Sequence, residues 1–154
     1  MSIDYGKKFE ERFKLDWVNS TGGVIVRLYD NTSGYLSISN VSDYICYKYP
    51  NIFFIECKSH KGSSIPFSAI TQYDKLIKFS NIFGVRSGVV LWLYEKDIVL
   101  YIPVSVIKQL KDIGEKSVGI RHLDKYDIIK IPSEKLRVFM KSDYSVLLSL
   151  KEGF

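Results

Sequence analysis

The chain has 154 residues, 46% of them hydrophobic, 25% charged and 14% aromatic, which fits one globular domain with a sizeable core and excludes a disordered or low-complexity chain. Lys and Arg outnumber Asp and Glu by 22 to 17, for a formal charge of +5; nucleic acid is the commonest anionic partner for such an excess, although plain solvated lysine faces account for it equally well. No apolar run is long enough to span a membrane and the first ten residues lack a secretory core, so a cytoplasmic protein is expected.

The spacing predicts a helix over residues 4–18, with Phe9, Phe13 and Trp17 four residues apart on one face, and an end at Thr21-Gly22-Gly23. Val24 to Tyr29 is β-branched and reads as a strand. Asp30 to Gly34 is turn chemistry, after which the chain is extended again through Ile38. Val41 to Tyr49 and Asn51 to Lys58 read as two strands joined at Pro50-Asn51. The second is apolar at Ile52-Phe53-Phe54-Ile55, as in a strand covered on both faces. A loop at residues 60–64 precedes a helix over 66–79, opened by Pro66, with Ile70, Tyr73, Leu76 and Ile77 inward. A hairpin over 88–102 turns at Glu95-Lys96-Asp97, a short helix covers 104–110, and a mixed tail completes the chain. The expected architecture is a single α/β domain, residues 1–154, on a mixed sheet flanked by helices. Cys46 and Cys57 sit in strand-like stretches with no His at metal spacing and read as reduced core thiols.

Buried strands rarely end in charge, yet Ile52 to Ile55 runs directly into Glu56-Cys57-Lys58. Period-two geometry sends Glu56 and Lys58 to one face and Cys57 to the other. Antiparallel pairing about Pro50-Asn51 brings Asp43 beside Glu56. Two crowded carboxylates call for a proton or a cation between them, and Mg²⁺ or Mn²⁺ suits oxygen ligands. That pattern points to metal-assisted hydrolysis of a phosphodiester, with Lys58 serving the water or the phosphate. The plainer reading of a lone Glu-x-Lys triplet is a surface ion pair.

Asp43 followed thirteen residues later by Glu56-Cys57-Lys58 resembles the Asp–(Asp/Glu)-x-Lys pattern of restriction-endonuclease-like nucleases. More narrowly, Gly6-Lys7-Lys8-Phe9-Glu10, Val41-Ser42-Asp43-Tyr44, Phe53 to Lys58 and Ile65-Pro66-Phe67 with Ile70 and Gln72 are similar to segments of RecU-type Holliday junction resolvases. The resemblance covers roughly residues 5–120. It implies Asp43 and Glu56 as metal ligands, Lys58 serving the attacking water, Gln72 assisting the site and Glu10 as an outer carboxylate. Mg²⁺, replaceable by Mn²⁺, is the implied cofactor, branched or duplex DNA the implied partner, and no nucleotide cofactor is indicated. Symmetric cutting of two strands implies a homodimer. The plainer readings are a solvent-facing helix polar for Gln72 and, more strongly, an early helix turn for Glu10.

The family carries a long insertion ahead of the catalytic Asp, whereas only residues 28–41 lie between Arg27 and Ser42 here, with residues 29–35 available as a stub. The basic arm ahead of the family's Gly-Lys segment is missing as well. Both departures bear on junction preference and leave the hydrolytic site untouched, and the shortened insertion favours flap-, nick- or sequence-directed cutting as the alternative to junction resolution. A non-catalytic DNA-binding protein on the same scaffold is the reading from another class. Lys7, Arg27, His60, Lys61, Lys75, Lys78 and Arg86 are candidate phosphate contacts. For Lys75 and Lys78 an exposed helix face, and for His60 an ordinary loop position, are the competing readings. His122 has no partner in the sequence pattern.

Overall fold

The computed structural model describes residues 3–29 and 42–150. The expected turn at Asp30 to Gly34 and the extended run through Ile38 lie outside the described residues. The chain opens with α1 (Tyr5–Thr21), capped by the Asp4 carboxylate, which accepts from the Lys7 backbone N–H at 3.0 Å. Gly22 ends the helix in the left-handed region at φ 66°, donating its N–H to Val18 O at 3.0 Å. An L side chain is strained there. Gly22→Ala is therefore expected to cost about 1 kcal/mol and lower the thermal midpoint by roughly 2–4 °C, which a melting curve checks; an unchanged midpoint contradicts it.

The six-stranded sheet has the order β1 (Val24–Arg27), β2 (Tyr44–Lys48), β3 (Asn51–His60), β5 (Val85–Leu93), β6 (Ile98–Pro103), β8 (Ile129–Lys130). Among the described residues only β3 and β5 pair in parallel, and the crossover between them carries β4 (Ser64–Pro66) and α2 (Tyr73–Phe79). α3 (Val104–Asp112) follows β6, and β7 (Ser117–Gly119) pairs with β4. β9 (Ser133–Lys135) and β10 (Met140–Ser142) form a separate hairpin.

Side-chain alternation splits the core between the two faces of the sheet. Phe53, Ile55, Cys57, Val90, Trp92, Val99 and Tyr101 share one core with Phe9, Phe13 and Trp17 of α1 and with the two-turn 3-10 segment Tyr144–Ser149. Trp17 meets Phe53 at 5.4 Å between ring centroids, and Phe13 meets Tyr144 at 4.9 Å, so the predicted aromatic stripe is the inner face of α1. Val89, Leu91, Leu93, Leu100 and Ile102 form the second core with Leu76 of α2 and Val106, Ile107 and Leu110 of α3. Asp16 ties the chain's end to α1, with Oδ1 against Arg12 Nη2 at 2.9 Å and Oδ2 accepting from Ser142 N at 2.9 Å. Both cysteines are buried and free.

Two expectations change. The helix expected over 66–79 begins only at Tyr73. Ile65 is instead buried in β4, paired in register with Val118, and Pro66 ends the strand where its missing N–H costs no ladder bond. Phe67–Ala69 is a separate 3-10 turn. Arg86 also departs from its expected role: it is only 8% exposed, and its Nη2 donates to Leu150 O at 2.9 Å, so it is a buried side chain and not a phosphate contact. Among the described residues no helix is long and apolar enough to cross a membrane.

Candidate active site

The antiparallel register of β2 and β3 pairs Tyr44 with Ile55, so Asp43, one residue before β2, falls opposite Glu56. The ladder holds this edge in place from the other side as well, because Leu28 N donates to Asp43 O at 2.8 Å. Asp43 Oδ2 accepts from the Cys57 backbone N–H at 2.8 Å, which pins the carboxylate beside the strand that carries Glu56 and Lys58.

Glu56 is completely buried, and its two oxygens are treated differently. Oε1 accepts from Thr71 N at 3.2 Å and Thr71 Oγ1 at 3.3 Å, and Lys58 Nζ lies 3.4 Å away. Oε2 is buried with no hydrogen-bond partner. A buried carboxylate oxygen left without a donor is costly unless a ligand completes it.

The electrostatics point the same way. Burial pushes Asp43 up from 3.8 to about 6; the Cys57 N–H opposes that rise, the charges of Glu56 and Glu10 add to it, and Lys58 offsets part of it. Burial also raises Glu56, against the pull of Lys58 and Thr71. Two carboxylates that resist ionisation side by side suit a divalent cation. Among the described residues no group of three or more His, Cys, Asp and Glu side chains is assembled for a metal. Two carboxylates nevertheless fit Mg²⁺, which keeps several waters and binds through one or two carboxylates plus phosphate oxygens.

Glu10 lies on α1 at the rim of this cluster. Its Oε2 meets Arg27 Nη1 at 3.2 Å, and its backbone oxygen accepts from Tyr44 Oη at 3.3 Å. Arg27 also donates to Tyr44 Oη at 3.0 Å and lies over the Tyr29 and Tyr44 rings, so its guanidinium is engaged within the protein. Gln72 is half-buried as the N-cap residue of α2, next to Thr71. Lys7 is exposed in the first turn of α1. His60 ends β3 with Nδ1 donating to Lys61 O at 2.8 Å, and Lys61 is exposed beyond it. Lys75 is half-buried and Lys78 exposed on α2, with Lys78 Nζ 5.9 Å from the centre of the Phe79 ring. His122, unassigned from the sequence, accepts from Gly119 N at 3.2 Å through Nδ1.

Two contributors escape sequence reasoning. Thr71 holds Glu56 by hydroxyl and backbone, and its only sequence signal is its place beside Gln72 ahead of a helix. The donor on Asp43 is a backbone N–H, for which no side-chain pattern exists.

No protein-family model matches the chain, and no curated protein matches it. Among solved structures the chain is similar to Archaeoglobus fulgidus Hjc, a Holliday junction resolvase from an archaeal hyperthermophile. The TM-score is 0.56 at 20% sequence identity, over 75% of this chain and 89% of that one. This chain shares the fold of that protein. The likeness is one of overall fold, which in this chain is a mixed sheet with helices on both faces, and at this level of identity it speaks to fold alone.

Proposed function

We propose that the protein is a metal-dependent endonuclease that cuts branched DNA, with a Holliday junction as its substrate. The observation that carries this reading is the divided Glu56 carboxylate: Oε1 is fixed by Thr71 and Lys58 while Oε2, buried and unpartnered, stands across the register from Asp43. The Hjc-like fold supports it.

Asp43 and the free oxygen of Glu56 would hold Mg²⁺ or Mn²⁺. Bound there, the ion would supply an acidified water and offset charge on the phosphate. Lys58, whose side chain is 30% exposed beside Glu56, orients the water or a phosphate oxygen through its ammonium. Thr71 keeps Glu56 from rotating, and the Cys57 N–H does the same for Asp43. Glu10, held by Arg27, adds negative charge at the rim, and Gln72 stands beside the Thr71 anchor. Lys7, His60, Lys61 and Lys75 offer phosphate contacts whose grip weakens with salt. Two equivalent sites in a homodimer would cut the two strands of a junction symmetrically.

The short segment 28–41 favours a second reading of the same chemistry, directed at flaps, nicks or a duplex sequence. Incubating the protein with a synthetic four-way junction, a flap, a nicked duplex and a linear duplex in Mg²⁺ separates the two. Paired incisions across the junction, with linear duplex largely intact, are expected. Preferential cutting of the flap or nick selects the second reading, and four intact substrates in both Mg²⁺ and Mn²⁺ defeat both.

A further inference from the structure

A cavity of about 680 Å³ opens where β3 and β5 begin, and β3 rises about 17 Å between Asn51 at its rim and Glu56. It is therefore distinct from the carboxylate site. Its size falls in the range of small-ligand pockets.

Three features of its wall favour an anion. α3 starts there: Val104 and Ser105 line the cavity, and the N-cap residue Pro103 makes no side-chain capping bond, so the positive end of the helix is left for a ligand. Ser87 also lines it, is only 3% exposed, and its hydroxyl has no hydrogen-bond partner. The buried Arg86 adds a positive charge to the wall, and no Asp or Glu is among the described residues that line it. One further feature selects the kind of anion. Phe83 lines the cavity yet is 90% exposed, leaving an aromatic ring free beside a polar, positively polarised pocket.

We propose that this cavity binds a nucleoside monophosphate unit, with its phosphate at the α3 N-terminus between the Ser87 and Ser105 hydroxyls and its base against Phe83. A free nucleotide and the 5′-phosphorylated terminal nucleotide of a DNA strand share this chemistry. The site does not depend on the nuclease reading.

The test is calorimetric titration of the whole chain, in metal-free buffer, with dAMP, deoxyadenosine, inorganic phosphate and a short oligonucleotide with or without a 5′-phosphate. dAMP is expected to bind with a Kd of about 0.1–1 mM, and deoxyadenosine at least ~10-fold more weakly. Ser105→Asp suits a first helical turn, so the fold is kept, but it places a negative charge where the phosphate lies; it lowers dAMP affinity at least ~10-fold. Phe83→Ser weakens dAMP several-fold and leaves inorganic phosphate unchanged. Asp43→Asn changes neither. A preference of about 10-fold for the 5′-phosphorylated oligonucleotide assigns the strand end, whereas equal binding of the two oligonucleotides alongside dAMP binding assigns the free nucleotide. Absence of binding by both dAMP and the phosphorylated oligonucleotide overturns the proposal, as do affinities that neither Ser105→Asp nor Phe83→Ser moves.

Discussion

Glu56→Gln is expected to reduce DNA cleavage at least ~10³-fold, about 4 kcal/mol of transition-state stabilisation, while DNA binding stays within a few-fold. Gln has the same shape as Glu and can still accept from Thr71, so the local packing survives. What it loses is the charge on the oxygen that has no hydrogen-bond partner in the protein. On the proposed reading binding persists, because lysine contacts to the phosphates, not the carboxylates, would provide the grip. Lys58 is 30% exposed and can turn its ammonium to water once its partner is neutral, so the thermal midpoint of the metal-free protein should not fall. Single-turnover cleavage and a gel-shift titration of the same preparation check both halves. Cleavage within tenfold of the parent contradicts the assignment, and loss of cleavage with equal loss of binding moves Glu56 from chemistry to structure.

Metal and pH should act on stability together. Asp43 rises from 3.8 to about 6 on folding, so between those pH values the folded chain holds more protons than the unfolded one. Stability of the metal-free protein must therefore fall as pH rises through that window, and above about 6 the whole penalty, on the order of 3 kcal/mol, is present. Glu56 is raised as well and contributes in the same direction. A divalent ion binds only the ionised pair, so Mn²⁺ should raise the melting midpoint strongly at pH 8 and hardly at all near pH 4.5. Asp43→Asn serves as the reference: the difference between it and the parent isolates Asp43 from the other titrating groups, Glu56 included. A metal effect of equal size at both pH values, or no difference in pH slope between the two proteins, would refute the electrostatic account.

Much of this site is legible before any coordinates because strand geometry is simple. Period-two alternation puts Glu56 and Lys58 on one face, and an antiparallel turn at Pro50-Asn51 sets Asp43 opposite Glu56, which is the register found. The Phe9, Phe13 and Trp17 stripe was equally plain, since four-residue spacing leaves one helical face. Other parts depend on partners remote in sequence. Ile65-Pro66 looks like a helix start until β7, some fifty residues later, claims it as a strand. Arg86 reads as a free cation but ends buried against Leu150, and Arg27 is drawn to Glu10 and Tyr44. Short elements such as β9 and β10 carry too little periodicity to be seen at all, being held by Asp16 on the first helix through the Ser142 backbone.

Everything proposed for the chemistry requires one divalent ion between Asp43 and the unpartnered oxygen of Glu56. Anomalous diffraction at the manganese edge, from crystals grown at pH 8 and soaked in Mn²⁺, tests it most directly. An anomalous peak is expected about 2.0–2.3 Å from both Asp43 and Glu56 Oε2, and absent from crystals of Glu56→Gln. A well-occupied manganese elsewhere with none at this pair, or a peak that persists unchanged in the variant, would contradict it.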